Sequence, residues 1–289
     1  MIEYVCCPLC GKNNTNPDKY ESKTIGSDIV KLGHVKCECG MRYVSPRLNA
    51  DGLNILYSSL YKTDTISGLY NVEKSVSIQK YKTFQKYLIQ VLPDGGKVLD
   101  VGCGVGNFIE TINECGNYKI EGIEYSSYAA EIAKKKGLNV INGELIEKAY
   151  ESNSFDCVVM LDVLEHVHNP RAILHEINKI LKPGGFLLLS VPNYRYLKII
   201  ADNVIAKLIN SKASLHPEEH LQNFTPVTLE KILFSEKFTV NKWGCAKPLH
   251  IGSWKRKLIK SILYFPVVAL YKVGYNIGGI YAICRKNEE

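Results

Sequence analysis

The sequence predicts an α/β protein: a mostly parallel sheet with helices on both faces, preceded by a small cysteine-bearing module. Three observations carry this prediction. Between 97 and 193, short apolar runs alternate with amphipathic segments of helical length, the pattern of parallel strands joined by helical crossovers. The first of those runs ends in a glycine-rich turn, DVGCGVGN, of the kind that opens a ligand site beside a helix N-terminus. Ahead of it, Cys7 and Cys10 are matched by Cys37 and Cys39. With 289 residues and 46% hydrophobic content, the chain can fill one large core and carry an accessory module. The expected division is a metal-binding module over 1–46, a helical connector or cap over 47–96, and the main domain over 97–289 with cap insertions near 196–213 and 254–273.

The module comes first in the chain. Cys7 and Cys10 flank Pro8-Leu9 with Gly11 behind, a tight turn that aims two thiolates at one point, and Cys37, Cys39 and Gly40 supply a facing half. Four sulfurs around tetrahedral Zn²⁺ are an ordinary structural solution, and the metal provides folding energy that so small a segment cannot draw from a core. The second pair is C-x-C rather than C-x-x-C, which leaves Cys6 and His34 as alternative ligands. Four protein ligands leave no position for water, so the expected Zn²⁺ is structural. The opening MIEYVCCPLC has no basic stretch followed by an apolar one, and the chain reads as cytoplasmic, where thiols stay reduced. The other cysteines, Cys103, Cys115, Cys157, Cys245 and Cys284, sit singly in apolar surroundings and read as core.

The region from Arg47 to Gly96 reads as helical, with Leu53, Leu56, Tyr57, Leu60 and Tyr61, then Tyr81, Phe84, Tyr87, Leu88 and Val91, at three- and four-residue steps. Tyr57 and Tyr61 are the side chains expected to reach a site. A turn at 93–96 leads to KVLDVGCGVGNF, a strand ending in Asp100, glycines at 102, 104 and 106, and a helix from near Asn107. KIEGIEYS ends a second strand at Glu124, 22 residues after Gly102, where a carboxylate can accept ribose hydroxyls. LNVINGEL puts Gly143 and Glu144 at a third strand end. FDCVVMLDVLEHV runs into Leu161 and Asp162, then Glu165 and His166; a helix carrying Ile173, Ile177, Ile180 and Leu181 follows, then KPGG and the strand FLLLSVPN. A dinucleotide-binding turn would place its third glycine one residue later than Gly106.

Taken together, the D-x-G-x-G-x-G loop, the acidic end of the second strand, LDVLEHVHNP and LKPGGFLLLSVPN resemble class I S-adenosylmethionine (SAM) dependent methyltransferases. That resemblance implies a Rossmann-like seven-stranded sheet, with FTVNKWGC as its sixth strand and GIYAICRK as a final antiparallel one. It implies SAM as cofactor, with Asp100, Gly102 and Gly104 around the methionine part, Glu124 at the ribose, Gly143 and Glu144 near the adenine, and Leu161 and Asp162 lining the site. The cysteine-rich opening, followed by PR and YSSLY, looks like the zinc-bearing front module of sugar methyltransferases and their relatives.

Methyl transfer aligns a nucleophile with the methyl carbon, and a hydroxyl or acidic C–H must also lose its proton. HPEEHLQNFTPVTLEKIL supplies candidates: Thr225-Pro226 reads as helix N-cap and first residue, which leaves His216, His220 and Phe224 on the loop before it. Sugar methyltransferases with a similar module use a Glu-His pair here, which implies His220 as base and Glu219 as its partner. Pro217 stands where such enzymes carry a tyrosine, which sets O-methylation ahead of C-methylation. His166 is read as orienting its loop or neighbouring SAM.

The expected acceptor is a sugar or nucleotide-linked sugar of surface glycan synthesis. Competing readings are a lipid or quinone methyltransferase, an rRNA methyltransferase with a zinc ribbon, and an interaction module on a silent fold. The formal charge is +7, with 7 basic and 2 acidic residues in 251–289. An excess gathered at one end does not call for nucleic acid as partner. The basic, apolar segment 254–273 has three readings: peripheral membrane contact, a homodimer face, or a lid packed within the protein.

Overall fold

The computed structural model describes residues 1–13, 16–61, 65–194, 217–245 and 279–288, and gives the backbone alone at 54, 57–61, 65–77 and 245. The cap segments expected near 196–213 and 254–273, His216, and the side chains of Tyr57, Tyr61 and Cys245 lie outside the described part.

The main sheet is built from β6 (Gly96–Val101), β7 (Tyr118–Glu124), β8 (Val140–Asn142), β9 (Phe155–Leu161), β10 (Leu181–Val191), β12 (Phe238–Cys245) and β13 (Ile280–Lys286). Its seven strands run in the order β12-β13-β10-β9-β6-β7-β8. The pairs β10/β9, β9/β6, β6/β7 and β7/β8 are parallel, and β13 enters antiparallel between β10 and β12. The order reverses at β6, so the C-terminal ends of β6 and β9 diverge into a crevice where ligands of such sheets bind. The seven strands and the antiparallel last one stand where the resemblance implies. KPGG is drawn into β10 rather than standing before it, and the register against β9 is irregular between Leu181 and Phe186.

Helices α3 (Asn107–Asn113), α4 (Ser127–Lys135) and α5 (Pro170–Ile180) are the crossovers. Two of them start on a side-chain cap: Ser126 and Asn169 accept the backbone N–H groups of Ala129 and Ala172, and Pro170 stands at N1 of α5, where no N–H is needed; α3 follows the left-handed Gly106 without such a cap. One apolar layer packs Ile173, Ile177 and Leu229 against Val158 and Leu189; the opposite layer packs Phe84, Leu88, Phe108 and Ile109 against Val98 and Val159.

The N-terminal region differs from the all-helical expectation at its start. Arg47–Leu48 is a two-residue strand, β5, antiparallel to β1 (Ile2–Glu3). Helix α1 (Ala50–Tyr61) begins after Asn49, whose side chain accepts the Gly52 N–H, and α2 (Thr65–Val91) lies beside α3. The cysteine module is an antiparallel sheet of β2 (Lys19–Ile25), β3 (Asp28–Lys36) and β4 (Arg42–Val44). Its fourth strand comes from far along the chain: β11 (Gln222–Asn223) pairs with β4, Gln222 opposite Tyr43 and Asn223 opposite Arg42. Cys7, Cys37, Met41 and Tyr43 belong to the same apolar layer as Phe224 and Leu229. Helix α6 (Pro226–Ser235) follows β11.

Candidate active site

The glycine turn after β6 is fixed by close contacts on one side and open on the other. Gly102 has φ +70°, and a Cβ there would lie 2.4 Å from a methyl of Val163, so the turn is packed against the loop after β9. Gly104, at φ +56°, has nothing within 4 Å of the same position, and neither has Gly143 after β8. These are surfaces a bound molecule can approach without meeting a side chain.

Two carboxylates flank the turn. Asp100 is 2% exposed and its Oδ2 has no hydrogen-bond partner among the described residues. Burial first, and the nearby charge of Glu124 second, push its carboxyl far above the ordinary range, with Lys80 opposing. A buried acid left in this condition is matched by a cationic or N–H-bearing ligand. Glu124 accepts the Gly104 N–H through Oε2 (2.9 Å) and the Ser126 N–H through Oε1 (2.8 Å). Burial raises its pKa and these two bonds draw it back. The carboxylate thus ties the turn after β6 to the turn after β7, at the strand end where the ribose was expected.

Beside the turns after β6 and β7 lies a cleft of ≈ 290 Å³, mostly apolar, lined by Val101, Gly102, Ile123, Gly143, Glu144 and Leu145 among others; Asp100, Gly104 and Glu124 stand close to its lining residues in sequence without being part of its wall. The size and apolar walls suit a nucleoside. Ala50 and Leu53 of α1 close one side, a contribution sequence reasoning missed while looking to Tyr57 and Tyr61. Val163 and His166 also line it. Leu161 and Asp162 do not line the cleft. Leu161 packs into the layer beneath α2, and Asp162, at φ +56°, turns its carboxylate to Lys80 of α2 and to the Ser190 hydroxyl, which donates at 2.6 Å. Lys80 and Ser190 were not anticipated, because they lie 82 and 28 residues from Asp162 in sequence.

Next to the cleft the loop after β10 meets the turn after β9. His166 Nδ1 lies 3.0 Å from the backbone oxygen of Glu219, and the His166 and His220 rings meet edge to face at 4.8 Å. The Glu219 carbonyl therefore positions an imidazole, and that imidazole is His166. His220 Nδ1 is 2.6 Å from the Tyr194 hydroxyl. Tyr194 lies just past β10, 26 residues before His220 in sequence. Glu165 is 1% exposed, with neither oxygen hydrogen-bonded among the described residues and Oε1 3.8 Å from His166 Nε2.

The cysteines assemble as the spacing predicts. Cys7 and Cys39 sulfurs lie 3.6 Å apart, Cys10 and Cys37 3.5 Å, and all four within 4.8 Å of one another. Sulfurs at ~2.3 Å from a tetrahedral ion are separated by about 3.8 Å, so the donor set fits one divalent metal. The alternatives fall away: His34 Nε2 is engaged by Glu21 at 3.3 Å, and Cys6 is exposed outside the cluster.

A parallel sheet with a strand-order reversal, a glycine turn between two carboxylates and a nucleoside-sized cleft define a nucleotide-type cofactor enzyme. The family model for a methyltransferase domain matches residues 77–240, and the chain belongs to that family. In family and fold it is a SAM-dependent methyltransferase. The mitochondrial ubiquinone biosynthesis O-methyltransferase of Dictyostelium discoideum is 34% identical over 125 residues, 37% of this chain and 39% of that relative. The demethylmenaquinone methyltransferase of Staphylococcus saprophyticus is 28% identical over 133 residues, 43% and 57% of the two chains. The chain thus spans about half the length of these curated relatives. Among solved structures, the SAM-dependent methyltransferase, possible histamine N-methyltransferase, of Thermotoga maritima superposes with TM-score 0.52 at 20% identity over 77% of this chain and 96% of that one, which shows the shared fold.

Proposed function

We propose that the protein methylates a hydroxyl of a small-molecule acceptor, a sugar or nucleotide-linked sugar, using SAM held in the cleft between β6, β7 and β8. The observation that carries hydroxyl methylation is the pair of imidazoles at the cleft: His166 lines it, and His220 packs edge to face on His166 at 4.8 Å. When bound, SAM supplies an electrophilic methyl on a sulfonium. The residues suited to hold it are Asp100 and the glycine turn for its amino acid part, Glu124 for the ribose, and Gly143 and Glu144 with Ile123 and Leu145 for the base. The chain's own task is then to exclude water, align the acceptor oxygen and take its proton. The histidine pair, with Glu219 as its anchor, is assigned that last role.

The sugar reading draws support from the join between the cysteine module and the loop that bears His220, the combination that resembles sugar methyltransferases. The four cysteines are assigned a structural Zn²⁺. A second reading, a phenolic hydroxyl of a quinone precursor, is favoured by the names of the relatives above and by the apolar cleft. Among the described residues no helix is long and apolar enough to cross a membrane; peripheral contact through 254–273 is retained for the quinone reading, and a homodimer through that segment for the sugar one.

The test is transfer of label from methyl-labelled SAM into a metabolite extract, partitioned into aqueous, organic, RNA and protein fractions. Label on a charged aqueous molecule is the expected result. Label in the organic fraction would replace the sugar by the quinone reading, label on RNA would overturn both, and SAM binding without transfer to any fraction would leave a silent fold.

A further inference from the structure

The hydrogen-bond partners of the two imidazoles determine which nitrogen of each can accept a proton. His166 Nδ1 lies 3.0 Å from the Glu219 carbonyl oxygen. A carbonyl only accepts, so Nδ1 carries the ring proton and Nε2 keeps its lone pair. At His220 the assignment reverses. Tyr194 is 9% exposed, and its hydroxyl has one hydrogen bond among the described residues, to His220 Nδ1 at 2.6 Å. Leaving a buried O–H without an acceptor costs about 1–3 kcal/mol. The hydroxyl therefore donates, Nδ1 accepts, and the neutral His220 ring holds its proton on Nε2. The Glu-His motif of the loop points to His220 as base, yet its resting tautomer presents a donor. His166 presents an acceptor, and it is the ring that lines the cleft.

Resting on the methyl-transfer reading above, we propose that His166, through Nε2, is the catalytic base that receives the acceptor's proton, while Tyr194 and His220 are positioning residues that hold its ring. In the step, the acceptor O–H bond breaks and the proton bonds to Nε2. The oxygen keeps the electron pair and takes the methyl, whose former bonding pair stays on sulfur. The imidazolium then sheds its proton to water, with the Asp162 carboxylate the nearby charge that favours it meanwhile. Burial lowers the His166 pKa from its ordinary value, while the Glu219 carbonyl and Asp162 act the other way, so the ring is neutral at pH 7. The titratable and charged groups around it are Asp162 and Glu165 from its own turn, Lys80 paired to Asp162 from α2, His220 and Glu219 from the loop, and Tyr194 after β10.

¹⁵N-histidine NMR on the full chain, with signals assigned through His166→Gln and His220→Asn, tests the tautomers without any acceptor. At pH 7.5 we expect an unprotonated Nε2 at His166 and a protonated one at His220; a protonated His166 Nε2 overturns the proposal. Turnover is then read with methyl-labelled SAM and whichever extract fraction accepts label. H166Q should lower kcat by ~10²–10⁴-fold with SAM affinity within about threefold, and should abolish the fall of kcat/KM on the acid side of neutrality. H220N and Y194F should cost roughly tenfold and keep that acid limb. H166Q activity within about tenfold of the parent overturns the assignment. Because Glu165, His166 and His220 offer ligand atoms within 4.8 Å of one another, a Mn²⁺ titration that broadens the His166 signals and raises turnover overturns it as well, in favour of a metal-held hydroxyl. Absence of transfer by the parent chain would count against the methyl-transfer reading instead, and the NMR result distinguishes the two failures.

Discussion

Glu124 does two things with one carboxylate. Its bonds to the Gly104 and Ser126 N–H groups hold the glycine turn and the start of α4 in place, and it stands at the strand end between Ile123 and Tyr125, which line the cleft. Glu124→Ala should therefore weaken SAM binding by tenfold or more in isothermal titration and also cost about 1–3 kcal/mol in urea denaturation. Unchanged SAM affinity would remove the ribose assignment, whatever the stability. Gly102→Ala is expected to be worse for the fold: its φ of +70° and the 2.4 Å approach to the Val163 methyl give the added carbon no room, so a fall in the midpoint of thermal unfolding should precede any effect on binding. Residues such as these were legible in the sequence because each sits at the end of a strand or in a glycine turn, where position along the chain nearly determines position in the site. Tyr194 and Lys80 were not legible. Their partners, His220 and Asp162, lie 26 and 82 residues away, and nothing in local spacing encodes those meetings.

At the scale of elements, α6 and β11 contrast. The start of α6 can be read in Thr225-Pro226, and the structure adds a reciprocal cap: Thr225 Oγ1 accepts the Thr228 N–H, while the Thr228 hydroxyl donates to Thr225 O and its oxygen accepts the Thr225 N–H. Thr225→Ala should cost about 1 kcal/mol in denaturant titration, and no loss of stability would mean water replaces the cap. Strand β11 could not be read, since two residues carry no periodicity. Yet it holds the His220 loop between two bodies: the Gln222 N–H donates to Glu165 O at 3.1 Å, and the Leu221 carbonyl accepts the Val44 N–H at 3.0 Å. Gln222→Pro deletes the first bond and disturbs the pairing with β4. Turnover should fall by an order of magnitude or more while SAM affinity stays within about threefold; equal losses in both would show that the loop also shapes the SAM cleft.

For the whole molecule, the cysteine module and the methyltransferase sheet are less separate than the chain order implies. The pairing of Cys7 and Cys10 with Cys37 and Cys39 was legible because metal ligands announce themselves by spacing. Which residues the module would pack on was not. Its sheet is completed by residues 222–223, its sulfur cluster shares an apolar layer with Phe224 and Leu229, and Lys231 of α6 donates to the Cys39 carbonyl at 3.2 Å. Metal at the cysteines should therefore be felt at His220, although no ligand is a site residue. One Zn²⁺ per chain is expected by elemental analysis. Removing it with a strong chelator gives up folding energy beyond what the module draws from its own apolar cluster and from the shared layer. Amide exchange should then speed up through β2, β3 and β4 and, with them, through β11 and the loop before it, while β6 and β7 keep their protection because their ladder and the layer of Phe84, Leu88 and Phe108 lie elsewhere. SAM affinity should persist as turnover collapses, and re-adding Zn²⁺ should restore both exchange protection and turnover. Loss of SAM binding in step with the metal would instead make the module part of the cofactor site, and unchanged exchange at β11 would mean that the strand pairing, not the metal, holds the loop.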